Sequence, residues 1–166
     1  MAPLRTIIVA IDEQIAAVQK RMEEMDAPAM PHGMATVIFQ QMEREVCDWN
    51  RFENRKQIGS YTGLCPSEDT SAQRRFQGSI NKHGNPRLRH MLIECVWLLM
   101  RWNPDYRGIL KWRDKLLEAK LTKASKKKIV VAIARQFAVD WWRVRTGRIT
   151  PEELGLSMKP LRTISA

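Results

Sequence analysis

Cysteine is scarce in this chain. Cys47, Cys65 and Cys95 are an odd number, far apart and without CxxC spacing. That excludes a disulfide framework and points to reduced thiols in a cytosolic protein. The three histidines, His32, His83 and His90, stand at no ligand spacing from those cysteines, which argues against zinc. Long hydrophobic runs are missing too: Arg or Lys interrupts each apolar stretch before it reaches the length of a membrane span. The N-terminus lacks the basic, apolar, small-residue order of a secretory signal. Apolar–polar alternation of the kind that marks a strand is absent over any convincing length. Acidic residues are absent altogether between Asp69 and Glu94.

What is present is a helical core and an excess of positive charge. Hydrophobic residues make up 44% of 166, enough for one packed domain with an appended arm. Lys and Arg number 28 against 18 Asp and Glu, a net charge of +10. That balance favours a polyanionic partner, nucleic acid before an anionic membrane surface.

The chain divides into residues 1–29, 30–149 and 150–166. In the first part Leu4, Ile8, Ile11, Ile15, Val18, Met22 and Met25 recur at alternating four- and three-residue steps, a coiled-coil seam. Such a stripe needs a partner helix, supplied by its own domain, a second copy or another domain. Two prolines and Gly33 break this helix, and a second is expected from about Met34 to Asp48, facing inward through Val37, Ile38, Gln41, Met42, Glu45 and Val46. A short helix from Arg55 to Tyr61 should end at Gly63. Helix, Gly-containing turn and helix are compatible with a helix-hairpin-helix, whose backbone N–H groups bind phosphate. From Cys65 to His83 the reading is a polar loop. Asn85-Pro86 caps and opens the next helix, with Leu88, Met91, Leu92, Cys95, Val96, Leu99 and Trp102 on its inner face. Two more helices are expected over Asp105–Leu121 and Ser125–Arg145, with Gly147 as a stop. Thr150-Pro151-Glu152-Glu153 has capping-box spacing. The fold class is all-α.

The acid-free segment holds Arg74, Arg75, Lys82, Arg87 and Arg89. Cations of one sign in a loop and at a helix start form a seat for phosphate, and forked guanidinium groups bind its oxygens two at a time. A solvated basic face without a ligand is the plain alternative. Exposed His83 and His90 read as ordinary imidazoles, and Trp97, Trp102, Trp112, Trp141 and Trp142 as core rather than stacking platforms. Lys126-Lys127-Lys128 crowds a helix N-terminus against its dipole, as a nucleic-acid contact or a solvated run.

Gly63-Leu64-Cys65-Pro66, Ser71, Arg74-Arg75, Gly78, Ile80, Lys82, Gly84-Asn85-Pro86 and Leu88-Arg89 form an ordered series. It resembles the signature block of the insertion-sequence one-ten family, DEDD-type transposases that act as bridge-RNA-guided recombinases. Trp49-Asn50-Arg51-Phe52 and Lys56-Gln57-Ile58 upstream, with Asn103-Pro104 and Lys127-Lys128-Ile129 downstream, extend the resemblance over roughly Met30 to Arg148. The resemblance implies that Ser71 is the nucleophile for DNA strand exchange. Arg74 and Arg75 would neutralise the attacked phosphate, and Arg87 and Arg89 would hold the neighbouring backbone. Lys82, Asn85 and Gly33 complete the candidate nucleic-acid contacts. It also implies DNA and guide RNA as partners, assembly into a homo-oligomer through the first helix, and a bacterial, nucleoid-associated location in the cytoplasm. Mg²⁺ would be held by the carboxylates of a RuvC-like domain, which joins this helical domain through a coiled-coil hairpin. Two departures stand out: Ala72-Gln73 replaces the usual glycine after the serine, and His32-Gly33-Met34 keeps only the central glycine of the family's turn. No βαβ pattern with spaced carboxylates precedes the first helix. The expectation is therefore a chain that binds nucleic acid but does not cut or join it, with a non-catalytic module left by truncation as the alternative.

Overall fold

The computed structural model describes residues 2–24, 29–71, 74–118 and 122–159. Helix α1 spans Ala2–Glu24, strand β1 Met30–Pro31, α2 Thr36–Val46 and α3 Arg55–Thr62. Strands β2 (Pro66–Ser71) and β3 (Arg74–Ile80) follow, then α4 (Pro86–Trp102), α5 (Arg107–Leu110), α6 (Arg113–Leu117), α7 (Lys123–Arg145) and β4 (Met158–Lys159). The architecture is all-α, with α4 packed against α2 and α7, and α3 against α7. No described helix is long and apolar enough to cross a membrane.

The inner face of α4 is as its spacing predicts: Leu88, Met91, Leu92, Cys95, Val96 and Leu99 are buried, and Trp102 alone of the expected set stays exposed. Asn85 caps this helix, its Oδ1 accepting from the N–H groups of Arg87 and Leu88, while Pro86 takes a first-turn position where no N–H is needed. The core continues into α7 through Ile133, Phe137 and Trp141, where Phe39 of α2 meets Trp141 edge-on at 5.1 Å. Trp141 and Trp142 are core as expected; Trp97 and Trp102 lie on the surface. The capping box at Thr150 closes in both directions, Thr150 N–H donating to Glu153 and Glu153 N–H to the Thr150 hydroxyl.

Three expectations are corrected. The inner face of α2 is Phe39, Met42 and Val46, with Gln40 also buried, and Gln41 is exposed. Phe39 brings far more apolar area than Val37 or Ile38, and its burial favours this rotation of the helix. The single helix expected after Asp105 is two short ones. Trp112 N–H donates to Ile109 O in a tightened turn between them, and no α6 residue is buried to hold a continuous helix. The polar loop after Cys65 is an antiparallel hairpin, β2 on β3, with a register shift between Pro66 and Glu68. Its backbone ladder needs no apolar alternation, so hydrophobic periodicity is silent about it.

Two polar clusters tie the helices together. Glu43 on α2 accepts from Trp141 Nε1 at 2.6 Å, Trp49 Nε1 at 3.0 Å and Arg145 Nε at 3.1 Å. Asp140 on α7 is fully buried and accepts from the Tyr106 hydroxyl at 2.9 Å and Arg107 Nη2 at 2.6 Å, with Arg143 at 3.4 Å. Burial, and then the Asp140 carboxylate, push the Tyr106 hydroxyl well above its usual range; burial pushes the Cys95 thiol up to about 12.

Two predictions follow from these groups. Asp140→Ala strands the buried Tyr106 hydroxyl and opens a cavity, and should cost about 3 kcal/mol in urea unfolding. Cys95 and Tyr106 are neutral when protonated and release their protons more readily unfolded than folded. Their contribution is whole below the unfolded thiol value of 9.0 and declines as pH climbs toward about 12. Urea midpoints should therefore fall from about pH 9 toward about pH 12, and Cys95→Ala should flatten part of that fall.

Candidate nucleic-acid interface

The segment that leads into the hairpin begins where α3 ends; its acid-free run starts after Asp69. Gly63 takes the left-handed conformation (φ 66°) that terminates α3, and the chain turns directly toward the hairpin. On the way back, Asn81 N–H donates to Cys65 O at 2.8 Å, Lys82 N–H to Gly63 O at 3.3 Å and Asn85 N–H to Tyr61 O at 2.7 Å. Gly84 is thereby pressed on the backbone of Gly63 and Tyr61, where a Cβ would collide. The hairpin thus springs from a junction of the end of α3 with the approach to α4. Its six-residue strand β2 carries Ser71 about 17 Å from Pro66.

At the far end of the hairpin the register pairs Ser71 with Arg74 and Thr70 with Arg75. The side chains of Ser71, Arg74 and Arg75 lie outside the described set, as do residues Ala72 and Gln73.

The other candidates divide by what they touch. Lys82 is exposed and, unusually for a lysine, adopts φ 59°, a conformation that L side chains rarely take. Arg87 is exposed on the first turn of α4. Arg89 braces the junction instead, Nη1 donating at 3.4 Å to both Thr62 O and Lys82 O. Asn85 uses both ends of its amide within the fold: Oδ1 caps α4, and Nδ2 donates to Glu45 at 2.6 Å. Both residues shape the basic loop, and a direct phosphate bond is not what their described partners show. Gly33 is separate from all of these. It makes a left-handed turn (φ 79°) beneath the Trp102 ring, at the opposite end of the 17-residue α4, about 25 Å from Asn85. It cannot share one phosphate with the others.

Sequence reading missed Arg51. A 3₁₀ turn over Trp49–Arg51, capped by Asp48 and anchored by the buried Trp49, lays the Arg51 guanidinium over the Tyr61 ring at 4.3 Å and the Phe52 ring at 4.6 Å. The adjacency of Arg51 to Phe52 within the quoted Trp-Asn-Arg-Phe run was the available signal. These residues border an open cleft of about 710 Å³ with Ser60 and His83, backed by Gly84 and Asn85.

The matched region of known proteins covers this arrangement. The model of the Transposase IS116/IS110/IS902 family fits residues 30–110, from β1 to the end of α5. Over this stretch the chain matches that transposase family. Two Sinorhizobium fredii proteins named as transposases, y4rJ and y4qE, are similar. The first is 37% identical over 94 residues, 55% of this chain and 23% of that protein. The second is 30% identical over 95 residues, 49% of this chain and 24% of that protein. The transposase for insertion sequence element IS1111A of Coxiella burnetii is 24% identical over 139 residues, 84% of this chain and 37% of that protein. The chain spans about a quarter of the length of the two Sinorhizobium relatives. In this matched segment the hairpin, the Gly63–Gly84 contact and the Arg51 cleft are all contained.

The junction yields a stability test. Gly84→Ala forces backbone apart and should cost about 2–3 kcal/mol in chemical denaturation. Gly147→Ala, at φ 68° but with open space around it, should cost only about 1 kcal/mol.

Proposed function

We propose that this chain serves DNA transposition as the C-terminal, serine-bearing part of a transposase. It binds DNA together with guide RNA and presents Ser71 to a phosphodiester. The hairpin carries the reading: its register sets Ser71 opposite Arg74, with Arg75 next along the strand, at the start of the acid-free run that follows Glu68 and Asp69. Attack by the Ser71 Oγ forms an Oγ–P bond as the bond from phosphorus to a deoxyribose oxygen breaks. The hydroxyl proton ends on the leaving oxygen, and the strand end is held covalently for the second transfer. Arg74 and Arg75 offset the charge that builds on the attacked phosphate, while Lys82 and Arg87 hold flanking backbone.

Mg²⁺ held by carboxylates is part of what the family resemblance implies. Among the described residues no three His, Cys, Asp or Glu side chains gather at one point, so those present do not form such a site. We assign activation of the hydroxyl to a carboxylate-bearing transposase domain, and expect this chain alone to bind nucleic acid without cutting or joining it.

A second reading, an assembly module, is favoured by one observation: Leu4, Ile8, Ile11, Ile15 and Val18 on α1 are each half exposed or more. A stripe of that length calls for another helix, and a second copy of α1 is the proposed partner.

Three outcomes are expected. With a carboxylate-bearing transposase domain supplied in trans, the chain should trap a covalent protein–DNA adduct that Ser71→Ala does not; equal trapping by both sinks the nucleophile. Duplex binding should weaken with a log–log salt slope of about −3 to −4, from four phosphate-seeking cations; a flat response rejects the basic-segment reading. Sedimentation should show a concentration-dependent dimer that Ile8→Glu with Ile15→Glu abolishes, while the helical signal of the remaining domain persists.

A further inference from the structure

The cleft beside Arg51 is not accounted for by a serine at the end of the hairpin, and its chemistry differs from that of a phosphate seat. A phosphate seat presents N–H groups outward from mobile side chains. Arg51 is instead laid flat: its guanidinium lies over Tyr61 and Phe52, whose ring centroids are 5.3 Å apart. The Tyr61 ring is itself fixed by its hydroxyl, which donates to Glu45 O at 2.9 Å, and Phe52 is buried. Two aromatic faces beneath a guanidinium restrict its orientation before any ligand arrives. The upper face of such a plane is a stacking surface, and the flat, delocalised, weakly hydrated guanidinium stacks on π systems as an ammonium does not. None of the residues lining the cleft is acidic. Among the described residues, the Ser60 hydroxyl and the His83 imidazole make no hydrogen bond to another side chain, whereas the Gln57 amide is tied back to Glu53.

The geometry points to a site for a single unpaired nucleobase, stacked on the Arg51 guanidinium and edged by Ser60 and His83. This rests on the nucleic-acid reading above and deepens it. The base would stack through its π face, which every base has, so the site is expected to be tolerant of sequence. A base paired inside a duplex cannot reach it without leaving the stack. An unpaired stretch, whether of DNA or of RNA, enters directly.

Arg51→Lys separates stacking from charge. Fluorescence anisotropy of the full chain is measured with a twelve-nucleotide thymine strand, the same length of uracil RNA, a DNA strand with one central abasic position among otherwise abasic-free neighbours, and a blunt duplex. Arg51→Lys is expected to weaken binding of the unpaired thymine or uracil strand about tenfold, and to leave duplex binding and the salt slope unchanged. Loss on DNA alone or on RNA alone tells which strand supplies the base. Ser60→Tyr, which fills the cleft from α3 at constant charge, should give the same selective loss. The site is overturned if Arg51→Lys binds the single strands as tightly as the unaltered chain, or if it loses duplex binding equally. If the unaltered chain binds no nucleic acid of either kind, the broader reading falls as well. If it binds duplex with the expected salt slope but Arg51→Lys is silent, only the nucleobase site falls.

Discussion

The Glu43 carboxylate accepts hydrogen bonds from two indoles and a guanidinium that come from two separate stretches of chain. Trp141 and Arg145 belong to the long α7, Trp49 to the tight turn after α2, and Glu43 itself to α2. An indole N–H buried without an acceptor is costly, and here two of them converge on one charged acceptor that remains only slightly exposed. The arrangement fixes the rotation of α2 and, through Trp49, the position of the turn that carries Arg51. Packing alone would leave that turn free to slide, since Trp49 is a large plane with few directional constraints. With the indole pinned, the next two residues inherit a defined direction, and the guanidinium comes to lie over its rings.

The second constraint is the contact of two glycines. Gly63 and Gly84 let two backbones meet where any side chain would separate them. Everything proposed for nucleic acid hangs from that contact: the hairpin leaves on one side of it, α4 starts on the other, and the Arg51 cleft lies against Gly84. Arg89 reinforces it by donating to carbonyls on both flanking segments. A residue that looks like a phosphate ligand by charge is in effect a brace for the loop that presents the others.

The helices were legible because each has a strong local signal. Asn85-Pro86 is a cap and a first-turn proline, Gly63 a left-handed stop, and the α4 stripe a long run at helical spacing. The inner face of α2 was misread because its short stripe admits two rotations, and the deciding interactions are with Trp49 and Trp141, one of them far away in sequence. The hairpin was illegible since it is mostly polar, with Phe76 and Ile80 too few to show an alternation, and held by its backbone ladder. For the site, charge singles out a segment but not the division of labour within it. Nothing in the sequence separates an exposed arginine such as Arg87 from one turned inward onto carbonyls such as Arg89. Gly33 was grouped with residues at the far end of α4 because a one-dimensional reading carries no distance along a helix axis.

Strands β1 and β4 pair Met30 with Lys159 and Pro31 with Met158. The start and finish of the folded body are therefore stitched side by side, with His32 N–H and Ser157 O extending the seam at 2.6 Å. A body whose two ends share one doorway can be hung from a host, or spliced into it, without threading a chain across its surface. The same adjacency makes it a natural subject for circular permutation, the old ends bridged at the β1–β4 seam and new ones opened at exposed Gly147. The hairpin and the cleft, at the other end of α4, are left clear of that doorway.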